Sequence, residues 1–154
     1  MRFNDKALID GSLSDTFEAC VDFGYFLRKI RASGTTVVRT DRLAAPGPGM
    51  TWEAVVPFRG TNHELVVELA GFEAPTEITY VTRAAGLKST IRFDLAQATK
   101  RHTLMRVSLD LGASTLKGRI LLKSAGLGKP ALNRRFRHHM ERLRRLIESR
   151  VQRC

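Results

Sequence analysis

Cysteine is scarce in this chain, and its scarcity already excludes one way of holding a fold together. Two cysteines, Cys20 inside a predicted helix and Cys154 at the last position, make a poor disulfide framework and point to free thiols in a reducing, cytoplasmic compartment. No apolar run approaches the roughly 18 residues that a membrane span needs. Arg2, Asp5 and Lys6 interrupt the N-terminus where a secretory leader would carry its apolar core. Metal-ligand spacing is missing too: there is no Cys-x-x-Cys and no His-Glu-x-x-His. His138 and His139 are adjacent and, on a helix, point about 100° apart, so they do not chelate one ion together. Gly126-Leu127-Gly128-Lys129-Pro130 superficially resembles a phosphate loop. It puts proline where serine or threonine would bind magnesium, and it reads better as a hinge before a helix that Pro130 can open. No nucleophile elbow, helix-turn-helix, zinc finger or aromatic stacking platform is present. These absences leave no metal or cofactor expected, and no reaction announced by a motif.

What the chain does have is pattern. The 154 residues suit a single domain with room for a core, and apolar residues at 43% are ordinary for a globular chain. The formal net charge of +11 is not evenly spread. Residues 1–115 carry 14 Lys and Arg against 13 Asp and Glu, whereas residues 116–154 carry 12 against 2. The body is neutral and the tail is strongly basic. Within that tail, Leu132, Phe136, Met140, Leu143, Ile147 and Val151 recur at steps of three or four, one stripe of a helix over Ala131–Val151. About 21 residues at 1.5 Å rise make a rod of about 31 Å, long enough to cross a small domain.

Ahead of that rod the periodicity is two. A first strand covers 2–10. Ser14 or Asp15 is expected to cap a helix carrying Phe17, Val21 and Phe26, with Glu18 returning the interaction, and a second short helix covers Tyr25 to Lys29 before Ser33-Gly34. Strands follow at Thr36–Leu43, Thr51–Phe58, His63–Phe72, Glu77–Arg83, Lys88–Leu95 and His102–Leu111. Pro46-Gly47-Pro48-Gly49 and Arg59-Gly60-Thr61-Asn62 mark turns. His63, Leu65, Val67 and Leu69 share a face opposite Glu64 and Glu68. Ser89, Ile91, Phe93 and Leu95 oppose Lys88, Arg92 and Asp94, and Met105, Val107, Leu109 and Leu111 oppose Arg106, Ser108 and Asp110. One wet face and short connections describe an antiparallel sheet of about seven strands. Only the C-terminal helix can cover its apolar face, and a straight rod on a twisted, curling sheet leaves a cavity under part of its length.

The order strand, two short helices, six strands, long helix resembles the helix-grip fold of the START/Bet v 1-like (SRPBCC) superfamily, an α+β architecture, over Arg2 to Val151. The local features are Ser14-Asp15-Thr16-Phe17 at the first helix, Pro48-Gly49-Met50-Thr51-Trp52, Leu65-Val67-Glu68-Leu69, the passage from Gly112 to Leu122, and Leu143 with Leu146-Ile147. The bacterial polyketide cyclase/dehydrase-like members are the most similar. The resemblance implies noncovalent binding of a small hydrophobic molecule, such as a lipid or polyketide. For a minority of members it implies catalysis on a carbonyl-bearing substrate.

Candidate residues follow from the apolar faces. The expected cavity lining is Trp52, Phe58, His63, Leu65, Val67, Tyr80, Ser89, Phe93, Met105, Val107, Phe136, Met140 and Leu143. Met140, mid-stripe, is expected to face ligand space. His63 is the best polar candidate, although a histidine satisfied in the core or at the rim is its first explanation. Tyr80 needs a partner for its phenol if buried. Ser89 either meets a ligand or makes room for Phe136, and Trp52 is packing before it is a wall. For an enzyme, His63, Tyr80 or Arg83 would polarise a carbonyl. Glu64 and Glu68 lie on the charged face and are read as solvated. The basic helix, through Arg134, Arg137, Arg142 and Arg145, is either a solvated face or attracted to an anionic membrane. Nucleic acid is disfavoured because the apolar stripe is needed by the sheet.

Overall fold

The computed structural model describes residues 1–58, 60–124 and 129–152, apart from the side chains of Phe58, Leu121 and Ser124. Arg59, the residues 126–128 of the glycine-containing hinge and Cys154 therefore lie outside the described residues. In chain order the elements are β1 (Arg2–Asp10), α1 (Leu13–Cys20), α2 (Phe23–Ala32), β2 (Thr36–Arg39), β3 (Thr51–Phe58), β4 (Thr61–Glu73), β5 (Glu77–Ala84), β6 (Leu87–Thr99), β7 (His102–Ala113), α3 (Leu116–Ser124) and α4 (Lys129–Gln152).

The strands form one antiparallel seven-stranded sheet in the order β1-β7-β6-β5-β4-β3-β2. Register puts residues of matching parity opposite one another, so the period-two pattern becomes two chemically different faces. Trp52 faces Val67, Leu69 faces Tyr80, Tyr80 faces Ile91 and Phe93 faces Val107, all on the inner face. The outer face carries ion pairs, among them Arg92 with Glu77 at 2.7 Å and Arg83 with Glu68 at 4.0 Å. A bulge between Leu69 and Gly71 shifts the β4–β5 register and adds to the curl.

Helix boundaries differ from the sequence expectation in instructive ways. The cap of α1 is Ser12, whose hydroxyl accepts from the Asp15 amide at 3.2 Å, two residues before the expected start. Asp15 and Glu18 thus fall inside the helix rather than at its edge. Helix α2 is twice as long as predicted, because Asp22 caps it by accepting from the Tyr25 amide and Ser33 ends it. The expected strand Thr36–Leu43 stops at Arg39. There Asp41 takes the Arg39 guanidinium and the amides of Leu43 and Thr51, folding the chain away from the edge. That guanidinium holds the Asp41 carboxyl well below the usual carboxylate range.

Helix α4 does not lie over the middle of the sheet. It packs on β1 and α1, with Phe136 against Phe3 at a ring separation of 6.0 Å. Phe136, Met140 and Ile147 are buried in the core, Met140 with only 4% of its surface exposed. At its far end Val151 closes on Gly11, where a β-carbon would stand 2.9 Å from Val151 Cγ1. The short helix α3 is held differently, by close backbone approach. Gly118 lies against the Gly86 carbonyl, and the Gly86 oxygen accepts from the Ser114 amide at 2.7 Å.

Gly86 has φ +80°, and a β-carbon there would sit 2.2 Å from Thr115 Oγ1. Gly86→Ala is expected to cost about 1–3 kcal/mol through left-handed strain and that clash. A denaturant melt with the slope unchanged and the midpoint lowered is the expected outcome; an unchanged midpoint would refute it.

Candidate functional site

The half of the sheet that α4 leaves uncovered is roofed by α2, and between them lies a cavity of ≈ 630 Å³. Its floor is the inner face of β2 to β6, with Val37, Trp52, Ala54, Val56, Leu65, Val67, Ile78, Tyr80 and Phe93. Its roof is the apolar face of α2, Phe23, Phe26, Leu27 and Ile30, spaced i, i+3, i+4, i+7 as a helix face requires. Its side wall is the second half of α4, where His139, Arg142, Leu143, Leu146 and Ile147 repeat the same spacing. Lys29, Ile30, Ser33, His139 and Arg142 are exposed and form the rim.

Inside, polar atoms are few. The Tyr80 phenol has no hydrogen-bond partner among the described residues, and burial pushes its pKa up. Tyr80 sits among rings, 6.3 Å from Trp52 and 6.2 Å from Phe93. Cys20 borders the cavity, and burial among apolar atoms moves its thiol from 9.0 to about 12. The Trp52 indole N–H is buried with no acceptor among the described residues. At the rim, partial burial first, then the neighbouring His138, Arg142 and Arg135, lowers the His139 pKa and favours its neutral imidazole. No carboxylate stands among the described lining residues. The described residues also contain no cluster of His, Cys, Asp and Glu able to hold a metal ion.

Of the residues expected to line a cavity, Trp52, Leu65, Val67, Tyr80, Phe93 and Leu143 do so. Met105, Val107, Phe136 and Met140 instead belong to the close-packed core. Their faces point inward as the pattern requires, but Met105 and Val107 of the sheet and Phe136 and Met140 of α4 are buried in one packed cluster. His63 and Ser89 are on the inner face, half-buried, and neither reaches the cavity wall. The Phe58 side chain lies outside the described residues. Arg83 is on the outer face beside Glu68, across the sheet from the cavity. His63, Tyr80 and Arg83 therefore do not converge on one point.

No family model and no curated protein matches this sequence. Solved structures do match in shape over nearly the whole chain. Ara h 8.0201 aligns with a TM-score of 0.69 at 14% identity, covering 100% of this chain and 99% of that one. A START superfamily protein from Mycobacterium smegmatis aligns at 0.68 and 14%, covering 99% and 97%. The Zhui aromatase/cyclase from Streptomyces sp. R1128 aligns at 0.62 and 13%, covering 98% and 90%.

The chain has the helix-grip fold of the START/Bet v 1-like superfamily.

In this helix-grip structure the missed residues had a readable signal. Phe23, Phe26, Leu27 and Ile30 form a clean helical face, hidden by confining the second helix to Tyr25 to Lys29 and giving Phe26 to the first. Leu146 lies one step off the main stripe of α4 and lines the cavity together with the stripe residues Leu143 and Ile147.

Two outcomes follow. Met140→Ala is expected to cost about 2–5 kcal/mol, because it opens a void in dense packing, whereas Leu143→Ala, at a void already present, should cost less than about 2 kcal/mol. Denaturant melts of the pair check the ordering. The raised Cys20 thiol makes a pH prediction with a definite sign. Its neutral form is favoured in the folded state, so that contribution is complete below the ordinary thiol range and is lost as pH rises from 9.0 toward about 12. The melting temperature should fall through that window, and less steeply in Cys20→Ala; identical slopes would count against it.

Proposed function

We propose that this protein binds a small hydrophobic ligand, a lipid, polyketide or similar molecule, noncovalently in the space between sheet, α2 and α4. The observation that carries this reading is the ≈ 630 Å³ cavity with its apolar floor and roof, within the size range of small-molecule sites. Affinity would come from removing apolar ligand surface from water, about 25 cal/mol per Å² before the costs of association. The Tyr80 phenol would orient any polar group that reaches the floor. Among proteins of this fold, one solved structure is a norcoclaurine synthase from Thalictrum flavum holding dopamine and hydroxybenzaldehyde, at 9% identity. Chemistry on such a ligand here would need an acid or base beside its reacting group; inside the cavity burial suppresses the ionisation of Tyr80 and Cys20, and the other titratable groups, Lys29, His139 and Arg142, stand at the rim. Binding is therefore favoured over a cyclase/dehydrase or aromatase-like reaction. The free Cys20 thiol accords with a reducing, cytoplasmic setting.

A specific observation favours contact with an anionic membrane as well. On α3, Leu116 and Ile120 are 74% and 58% exposed, and the same helix carries Lys117, Arg119 and Lys123 with no acidic residue. Apolar side chains flanked only by cations suit a lipid surface, where each basic residue contributes about 1 kcal/mol. Arg134 and Arg137 on α4 are exposed and would add to this attraction, while Arg145 is engaged by Glu141 at 3.3 Å and Arg142 stands at the cavity rim. No helix among the described residues is long and apolar enough to cross a membrane, so contact would be with the surface.

Titration with an apolar fluorescent probe such as ANS tests the first reading. Saturable enhancement is expected in the native protein, with at least a tenfold weaker Kd in Leu146→Trp, which narrows the cavity from α4. Equal binding by both would overturn it. Co-sedimentation with phosphatidylserine-containing vesicles tests the second: Leu116→Glu combined with Ile120→Glu should abolish pelleting that pure phosphatidylcholine does not support.

A further inference from the structure

The charge at the mouth of the cavity is one-sided. Lys29, on the last turn of α2, and Arg142, on α4, stand on the rim with His139. Three basic side chains and no carboxylate occur among the described lining residues. The acids nearest in sequence are already engaged elsewhere. Glu141 and Glu148 are bound by Arg144, and Glu141 also by Arg145, while Asp22 is bound by Arg150. Neither Lys29 nor Arg142 has an ion pair among the described residues. Lys29 is nonetheless positioned, its ammonium 5.5 Å from the centroid of the Tyr25 ring.

An unneutralised pair of cations beside an apolar opening selects among ligands. A neutral apolar molecule would cover them and return nothing for lost hydration. A cationic amphiphile would be repelled. An anion at the rim would meet both charges across low-dielectric walls, where their attraction is stronger than in open water, while its apolar body filled the interior. The neutral His139 imidazole can donate one N–H to the same group.

We infer that the cavity takes an anionic amphiphile, apolar body inward, with its carboxylate or phosphate held at the mouth by Lys29, Arg142 and His139. This inference rests on the ligand-binding reading above and adds the head group to it. It differs from general attraction by a basic helix, because it assigns the effect to two rim residues on different elements. Arg134 and Arg137, equally exposed on α4 but absent from the cavity lining, carry no part of it.

The test uses 11-(dansylamino)undecanoic acid and its methyl ester, titrated by fluorescence into wild type, Lys29→Gln/Arg142→Gln and Arg134→Gln/Arg137→Gln. The acid is expected to bind wild type at least tenfold tighter than the ester. The rim double variant should lose that advantage while keeping ester affinity within twofold, and the other double variant should behave as wild type. Added salt should weaken the acid and not the ester. Competition with dodecanoate, dodecyl phosphate and dodecanol then names the head group, the tighter anion being the preferred one. Equal binding of acid and ester, equal losses in both double variants, or dodecanol competing as well as the anions would overturn the inference and leave hydrophobic binding standing. Failure of acid and ester alike to bind wild type would overturn the binding reading itself and this inference with it.

Discussion

The seating of α4 on the β1 edge of the sheet is the contact on which the remaining architecture depends. Phe136 is buried in that contact against Phe3, and Met140 and Ile147 are buried in the same core cluster. Each such side chain contributes roughly 1.5–3 kcal/mol, enough to hold the rod firmly to one side. A helix is about 10 Å across, and seven strands at about 4.8 Å spacing are far wider. The inner face from β3 to β5 is therefore left without its cover. Helix α2 crosses that gap, anchored where Asp22 both caps α2 and meets Arg150 of α4. The cavity is what a single long helix and one short one cannot fill.

That geometry also separates the chemistry of the two sheet faces. On the outer face, ion pairs such as those of Arg92 and Arg83 lie open to water and contribute little individually. On the inner face the few polar atoms are in surroundings that penalise charge. Tyr80 and Cys20 are both held in their neutral forms by burial. The unpaired Trp52 N–H belongs to the same dry environment. Such a site suits a ligand recognised by shape and apolar contact. Among the described lining residues the cationic side chains, Lys29 of α2 and Arg142 of α4, stand at the rim.

The likeness to Ara h 8.0201 and to the START superfamily protein concerns shape, since identity is 14% in both cases. A fold can persist at such low identity because it depends on pattern: alternation for the strands, a three-to-four step for the helices, and turn residues between. The cavity interior is free to vary within that pattern. What a protein of this shape could hold depends on the particular side chains on its walls; here the floor carries aromatic rings, and Lys29 and Arg142 stand at the opening.

The strands, their inner and outer faces and the extent of α4 were legible because each follows from the periodicity with which side chains leave their own backbone. Trp52, Leu65, Val67, Tyr80 and Phe93 could be set on the inner face from parity alone, and the structure has them at the cavity. Met105, Val107, Phe136 and Met140 were equally inward by pattern, yet they are filled core. Periodicity gives a side chain's bearing about its own helix or strand and is silent on where a neighbouring element comes to rest. That lateral position was decided by tertiary packing: by Phe3 against Phe136, by Val151 on Gly11, and by the contact of α4 with α1. Likewise no local signal could say that His63 and Ser89 would stop short of the cavity, or that α2 would become its roof. The sequence by itself determined which surfaces are apolar; only the folded arrangement decided which of those surfaces meet each other and which are left facing a space.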